Sequence, residues 1–523
     1  MSWGANTKYN FPPQKKCYTA CALYSRLAHA SSHALFEIMG TVNSSPSPSS
    51  KGFTNYTRLR SLHWDSVAAW LDSHGKYSRY YHRRLENVYQ LTIPPGLRVL
   101  EIGCGLGDLL AALKPSLGVG IDLSREMVRR ASQRHPEYNF IQADAHFPCL
   151  QGAFDIIILS DLLNDLWDVQ MTLARIHYLC DIHTRVIINT YSRLWELPLA
   201  LAERLGMAKP NLNQNWLTVG DITNLLSLTG FEAIHHWTEI LVPLHVPFLT
   251  KLANQYACRF WPLDQLCLTN FILARPVFSH SGEREPSVSV VIPARNEAGN
   301  IPHIFERLPN MVRRMELIFV EGHSNDDTYR VIEHCIQEYP QYNCRIIRQS
   351  GKGKGDAVRL GFSHAEGDIL MILDADLSVQ PEDLPRFYDV IHTNKCDFVN
   401  GVRLVYPMED EAMQFFNLLG NKLFSMAFSW LLGQDIKDTL CGTKVLWKSD
   451  YEKISANRSF FGDFDPFGDF DLIFGAAKLG LKILDLPVRY QSRSYGKTNI
   501  QRWKHGWLLL KMMVIAFRRL KFV

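Results

Sequence analysis

The sequence predicts an α/β protein of two domains, and three observations carry that reading. The chain has 523 residues, several times the ~100–200 of an ordinary domain. Short β-branched runs alternate with helical stretches along both halves, as parallel-sheet units do. Polar and charged residues interrupt this rhythm between Ser279 and Pro286. An apolar fraction of 46% with 21% charged residues is globular in character and excludes a mostly disordered, collagen-like or integral membrane chain.

Residues 1–60 are expected to form a basic, partly disordered extension that includes the Ser/Pro-rich tether 43–52, whose composition has nothing to bury. An acid-poor start also suits an organellar transit peptide. The first domain is placed at 61–276, with strands at Arg98–Ile102, Gly118–Ile121, Phe154–Leu159 and Arg185–Asn189. A linker at 277–286 leads to the second, at 287–500, with strands at Val288–Ile292, Glu316–Val320, Cys344–Arg348, Ile369–Leu373 and Lys482–Tyr490. Within it Phe415–Gly433 is apolar on most sides, but Asn417, Asn421, Ser425 and Ser429 recur every four residues beside Lys422. That stripe predicts an amphipathic helix closing a groove rather than a lipid-facing span. Residues 501–523 read as a basic amphipathic helix. Its apolar part, Trp507–Phe517, covers only about 17 Å of a ~30 Å hydrocarbon core, so it suits a headgroup interface or the surface of its own domain.

Charge is uneven. Residues 61–485 hold 40 basic and 51 acidic side chains, net −11, whereas 486–523 hold nine basic and none acidic. A nucleic-acid binder would carry a basic body; here the ends are basic, which points to an anionic membrane surface as partner and not to nucleic acid. Eleven scattered cysteines without a disulfide framework predict reduced thiols. The expected location is cytoplasmic, peripheral on the cytoplasmic face of a membrane.

Two sets of motifs carry chemistry. Val99–Gly107 runs from a strand into a glycine-rich turn, and the next strand ends at Asp122. Missing Cβ atoms let a ligand approach such a turn, a helix N-terminus favours its anionic groups, and a carboxylate there accepts from ribose hydroxyls. In the second half, Asp368–Asp376 is an apolar strand ending in Asp374 and Asp376. Two carboxylates at i, i+2 can hold a divalent cation between diphosphate oxygens.

Glu101-x-Gly103-x-Gly105-x-Gly107, Asp122, Asp144 and Phe154-Asp-Ile-Ile-Ile together resemble the motifs of class I S-adenosylmethionine-dependent methyltransferases. The resemblance implies a Rossmann-like sheet and a cofactor site of Glu101, Gly103, Gly105, Asp122 and Asp144, with the two glycines at the amino-acid part, Asp122 on the ribose and Asp144 near the adenine amine. Asn164 and Trp167 either face the methyl acceptor or pack a helix start. A non-catalytic cofactor-binding scaffold is the rival reading of this half.

Val290–Ile301, Phe319–Thr328, Gly351–Ala357 and the Asp374/Asp376 pair resemble, in that order, glycosyltransferase family 2 enzymes of the GT-A fold, dolichyl-phosphate mannosyltransferase and polyprenyl-phosphate glycosyltransferases among them. The resemblance implies transfer of a hexose from a nucleotide sugar to a lipid phosphate or a glycan. Pro293, Arg295, Glu297 and Glu321 would line the nucleotide, and Asp374 and Asp376 would hold Mg²⁺ or Mn²⁺. Lys354 is either a phosphate contact or a solvated loop lysine. Asp469 matches the position of the base that a hydroxyl acceptor needs. A phosphate acceptor needs none, and Arg403, Lys422 or Arg493 would position it. A soluble glycan enzyme without lipid involvement is the alternative.

Overall fold

The computed structural model describes residues 51–74, 78–205, 211–243, 246, 248–278, 285–403, 415–439, 441–458, 468–488, 510–514 and 516–518. The first domain contains a sheet in the order β3-β2-β1-β4-β5-β7-β6. Its strands are β1 (Arg98–Ile102), β2 (Leu117–Asp122), β3 (Asn139–Gln142), β4 (Ile156–Ser160), β5 (Arg185–Tyr191), β6 (Phe231–Glu239) and β7 (Thr269–Pro276). Around it lie α1 (Lys51–His74), α2 (Ser78–Thr92), α3 (Asp108–Ala112), α4 (Arg125–Arg134), α5 (Val169–His177), α6 (Glu196–Arg204), α7 (Val219–Leu228) and α8 (Leu249–Gln255). β1 to β5 are parallel, and β7 enters antiparallel between β5 and β6.

The second sheet runs β10-β9-β8-β11-β13-β12-β14. It consists of β8 (Val288–Ala294), β9 (Met315–Glu321), β10 (Asn343–Arg348), β11 (Ile369–Ile372), β12 (Phe398–Val402), β13 (Lys444–Trp447) and β14 (Ile483–Pro487), with β13 antiparallel to β11 and β12. Its helices are α9 (Ile301–Arg307), α10 (Thr328–Glu338), α11 (Lys354–His364), α12 (Leu384–His392), α13 (Phe415–Leu432), α14 (Lys448–Ala456) and α15 (Asp469–Lys478).

Both sheets are covered on two faces, which is why their central strands read as unbroken apolar runs. Along β1, Leu100 and Ile102 join one cluster with Ile157 and Ile188, while Val99 joins the opposite one with Ile158 and Phe271. Val290 and Val291 divide the second core in the same way. β14 stops at Pro487, and the last two residues of the expected strand lie outside the described ones. β3, β6, β7, β12 and β13 were not among the expected strands.

One expectation is corrected. The helix α1 starts at Lys51 and runs through residue 60, so the end of the expected extension belongs to the first domain. Phe53 is buried there, edge-on to His146 and Phe147. Apolar contact made at long sequence distance outweighs a polar local composition.

The two domains meet at the N-terminal edges of their strands. Arg185, at the start of β5, pairs through Nη2 with Asp397 Oδ2 at 2.8 Å, and Arg275 Nη1 pairs with Asp397 Oδ1 at 3.1 Å. All three side chains are buried. Arg185 Nε also donates to Gly480 O at 2.8 Å, and the Lys482 backbone N–H donates to Asp397 at 2.7 Å. Lys482 Nζ returns the contact to Glu232 at the start of β6, at 2.5 Å. Backbone oxygens, Glu232 and the Asn394 side chain take further donors of the two guanidinium groups, which lowers the cost of burying both on one carboxylate.

Candidate active sites

At the C-terminal ends of β1, β2 and β4 the first domain holds a cavity of about 670 Å³. Its floor is the turn after β1, where Gly103 and Gly107 have φ of 77° and 75°. A Cβ at Gly107 would strike the Phe140 ring and one at Gly103 the Leu162 side chain, so only glycine fits. Asp122 accepts from the backbone N–H of Gly105 at 2.9 Å and of Ser124 at 2.8 Å. Burial pushes its carboxyl up to about 6. Glu101 lies buried beneath the turn, accepts from Leu110 N–H at 3.1 Å, and is held well above the usual carboxylate range by burial. Asp144 accepts from His146 Nδ1 at 2.6 Å. The five residues expected to hold a cofactor, Glu101, Gly103, Gly105, Asp122 and Asp144, all line this one cavity.

Sequence reasoning missed the roof. Tyr56, Arg60 and Trp64 project from α1 over the cavity, and their i, i+4, i+8 spacing was a readable sign of one helical face. Arg60 and Trp64 Nε1 both donate to the Asp165 carboxylate. Asp65, next along α1, accepts from Ser124 Oγ at 2.5 Å and Glu126 N–H at 3.0 Å, fastening the helix to the start of α4. Asp161 also lines the cavity, at φ 51°, accepting from Tyr81 Oη at 2.9 Å and Asn189 Nδ2 at 2.7 Å. Seven carboxylates and three arginines line the cavity, an acidic balance suited to a cationic ligand. Asn164 is buried outside the lining, and Trp167 meets Phe53 and Tyr56 edge-on.

In the second domain, β11 delivers Asp374 and Asp376 at its C-terminal end. Asp374 Oδ1 lies 2.6 Å from Lys354 Nζ at the start of α11. Asp376 is mostly buried and accepts from Ser378 N–H at 3.0 Å. Gly442 closes the other side, where a Cβ would overlap both the Asp374 carboxylate and the Lys354 ammonium. Gly468 packs against Gly355, which brings the start of α15 beside Lys354. Asp469 opens that helix, and its side chain lies outside the described residues. Among the described residues no third His, Cys, Asp or Glu joins Asp374 and Asp376 within ligand range; the one such grouping, His334, Cys335 and Glu338, sits on α10. Two carboxylates suit a hard cation that completes its shell with phosphate oxygens and water.

Residues 71–236 match a methyltransferase domain model, and residues 289–453 match the glycosyl transferase family 2 model. The chain joins a methyltransferase domain to a family 2 glycosyltransferase domain. The dolichol-phosphate mannosyltransferase of Pyrococcus furiosus is 30% identical over 237 residues, 43% of this chain and 64% of that one. The undecaprenyl-phosphate 4-deoxy-4-formamido-L-arabinose transferase of Proteus mirabilis is 33% identical over 124 residues, 22% of this chain and 38% of the other. The chain therefore spans less than two thirds of either relative. The solved glucosyl-3-phosphoglycerate synthase of Mycobacterium tuberculosis, in complex with Mn²⁺, uridine diphosphate and glucosyl-3-phosphoglycerate, aligns at 18% identity and a TM-score of 0.34 over 47% of this chain and 87% of that one.

The other expected residues of the glycosyltransferase domain differ in placement. Glu321 is buried and accepts from Ser324 N–H at 2.5 Å. Glu297, also buried, accepts from Asn300 Nδ2 at 2.6 Å. Both hold the turns that follow β9 and β8. Pro293 is half-buried and Arg295 exposed. Lys354 is half-buried and held by its Asp374 contact. Arg403 is bound bidentately to buried Asp438, at 2.7 and 2.9 Å, which makes it a structural pair rather than a ready anion ligand. Lys422 is exposed on α13, and Arg493 lies outside the described residues. The serine stripe of α13 is satisfied internally, Ser425 and Ser429 both donating to Ile436 O. No described helix is long and apolar enough to cross a membrane.

Proposed function

We propose that the chain is a bifunctional enzyme in which an S-adenosylmethionine-dependent methyltransferase is joined to a metal-dependent, inverting glycosyltransferase. The glycosyltransferase moves a hexose from a nucleotide sugar to a polyprenyl phosphate or glycan, at the cytoplasmic face of a membrane. The observation that carries the sugar chemistry is the Asp374–Asp376 pair at a strand end, with Lys354 and Gly442 packed against Asp374. Asp374 and Asp376 would hold Mg²⁺ or Mn²⁺, which when bound neutralises charge on the departing diphosphate. The acceptor oxygen forms its bond to the anomeric carbon as the bond to diphosphate breaks on the opposite side. A hydroxyl acceptor passes its proton to Asp469, whereas a phosphate acceptor has none to lose. The test is nucleotide diphosphate release by the full chain with Mn²⁺ and a panel of nucleotide sugars, with and without a polyprenyl phosphate. No release from any donor would overturn this half.

For the methyltransferase half, the acidic cavity suits a ligand with a sulfonium and an ammonium group. The cofactor supplies an electrophilic methyl group; this chain's part is to align the acceptor beneath the α1 roof and exclude water. Asp122 serves the ribose hydroxyls only as the carboxylate. Because its carboxyl titrates near 6, ionisation as pH rises from about 4 to 6 lowers the stability of the free protein and raises affinity for the nucleoside. Binding of S-adenosylhomocysteine, measured by calorimetry, is expected to weaken below pH 6. Asp122→Asn should lower affinity at least ~10-fold and flatten that profile. An unchanged profile would remove Asp122 from the ribose.

Gly442→Ala is a local test of the sugar site. The added methyl displaces Asp374 and Lys354 together, so diphosphate release should fall at least ~10-fold. The melting temperature should hold within about 3 °C, because flexible side-chain ends rather than backbone take up the clash.

A further inference from the structure

Between β6 and β7 the methyltransferase domain extends a platform that is polar at its root and apolar at its tip. At the root, buried Asn254 exchanges hydrogen bonds with the Val242 backbone at 2.7 and 2.8 Å. Glu239, equally buried, pairs with Arg84 at 3.0 Å and Arg259 at 2.5 Å. This bracing holds outward a set of side chains that would ordinarily be buried: Phe248 is 93% exposed and Trp261 81%, with Leu249, Leu252 and Leu266 each above half.

The apolar surface continues on both sides. Trp195 Nε1 donates to Leu266 O at 2.9 Å, which seats α6 beside the platform, and Leu197, Leu201 and Leu205 form an exposed stripe along and just past that helix. On the other flank Phe260 stacks on Trp430 of α13 at 5.7 Å, and Trp430 meets Phe517 at 6.3 Å. Met426, one turn before Trp430, is 70% exposed. A contiguous patch of this extent on a braced scaffold marks a contact surface.

Charge selects the occupant. No Asp or Glu occurs in 241–263, 415–434 or 486–523, although 61–485 as a whole is net −11; Asp264 on the platform and Glu196 and Glu203 on α6 border the patch, beside the exposed Arg193 and Arg204. The exposed charges in these stretches include Lys251, Lys422, Lys511 and Arg518. A second copy of the chain would bring like charges together. Anionic headgroups meet the cations while the tryptophan and phenylalanine tips enter the interfacial layer. We propose that this surface, centred on the methyltransferase domain, seats the chain on an anionic bilayer. The proposal extends the peripheral placement above: it shares Phe517, Lys511 and Arg518 with the C-terminal helix but is centred on residues of the methyltransferase domain.

The test is flotation of the full chain with phosphatidylcholine vesicles containing about 30% phosphatidylglycerol. The parent should float, and Phe248→Ser/Trp261→Ser should lose at least ~10-fold in partitioning with an unchanged melting temperature. The pair Leu197→Ser/Leu201→Ser should act in the same direction. Flotation of either pair at the parent's level overturns the proposal, as does a parent that stays in the dense layer, or a parent dimer that these variants turn to monomer. A chain lacking 510–523 separates the two ideas. If only that deletion abolishes flotation, the C-terminal helix is the anchor and the platform proposal fails; if the platform variants abolish it alone, the helix reading fails.

Discussion

Asp376→Asn is expected to reduce nucleotide diphosphate release by about 10²–10³-fold while leaving the fold intact. The amide keeps an Oδ1 to accept from Ser378 N–H at 3.0 Å, so the local turn survives; what disappears is the negative charge facing the metal. Asp374 is a less clean target, because its loss also leaves the Lys354 ammonium, now 2.6 Å away, without its carboxylate. Diphosphate release at saturating donor, with the melting curve as control, is the measurement. Parent-level activity in Asp376→Asn would contradict the metal role.

Asp397→Ala carries the largest expected effect on stability. It strands two buried guanidinium groups between the domains, a loss of about 3–5 kcal/mol. Calorimetry should record a fall of roughly 6–20 °C in the transition that involves the interface. An apolar triple replacement, Arg185→Met/Arg275→Met/Asp397→Leu, should recover most of that loss, since burying charge offers little net gain over packed hydrocarbon. A single Asp397→Ala protein that melts like the parent would mean that this cluster does not hold the domains together.

Legibility followed sequence distance. The strands that end in Gly103, Asp122 and Asp374 announced themselves because an apolar run and a chemical group sit side by side in the chain. Edge strand β6, half-exposed and carrying Glu232, His235 and His236, has no such contrast. Helix α1 was lost at its start because a Ser/Pro-rich tract disguised Lys51 onward, although Phe53 is buried. Gly442 lies 68 residues after Asp374, and nothing in its neighbours reveals the close approach. Nothing adjacent in the chain marks Arg185, Arg275 and Asp397 as partners; only the docking of two sheets makes them a buried cluster.

The docking edge has a further consequence. The Asp397 cluster joins the domains at ends where their strands begin, whereas both candidate centres sit where strands finish. On the two-enzyme reading, that buried cluster lies between the sheets and offers no passage from one centre to the other. A shared intermediate would have to leave one mouth and be recaptured by the other, and a tracer experiment with excess unlabelled intermediate should dilute it freely.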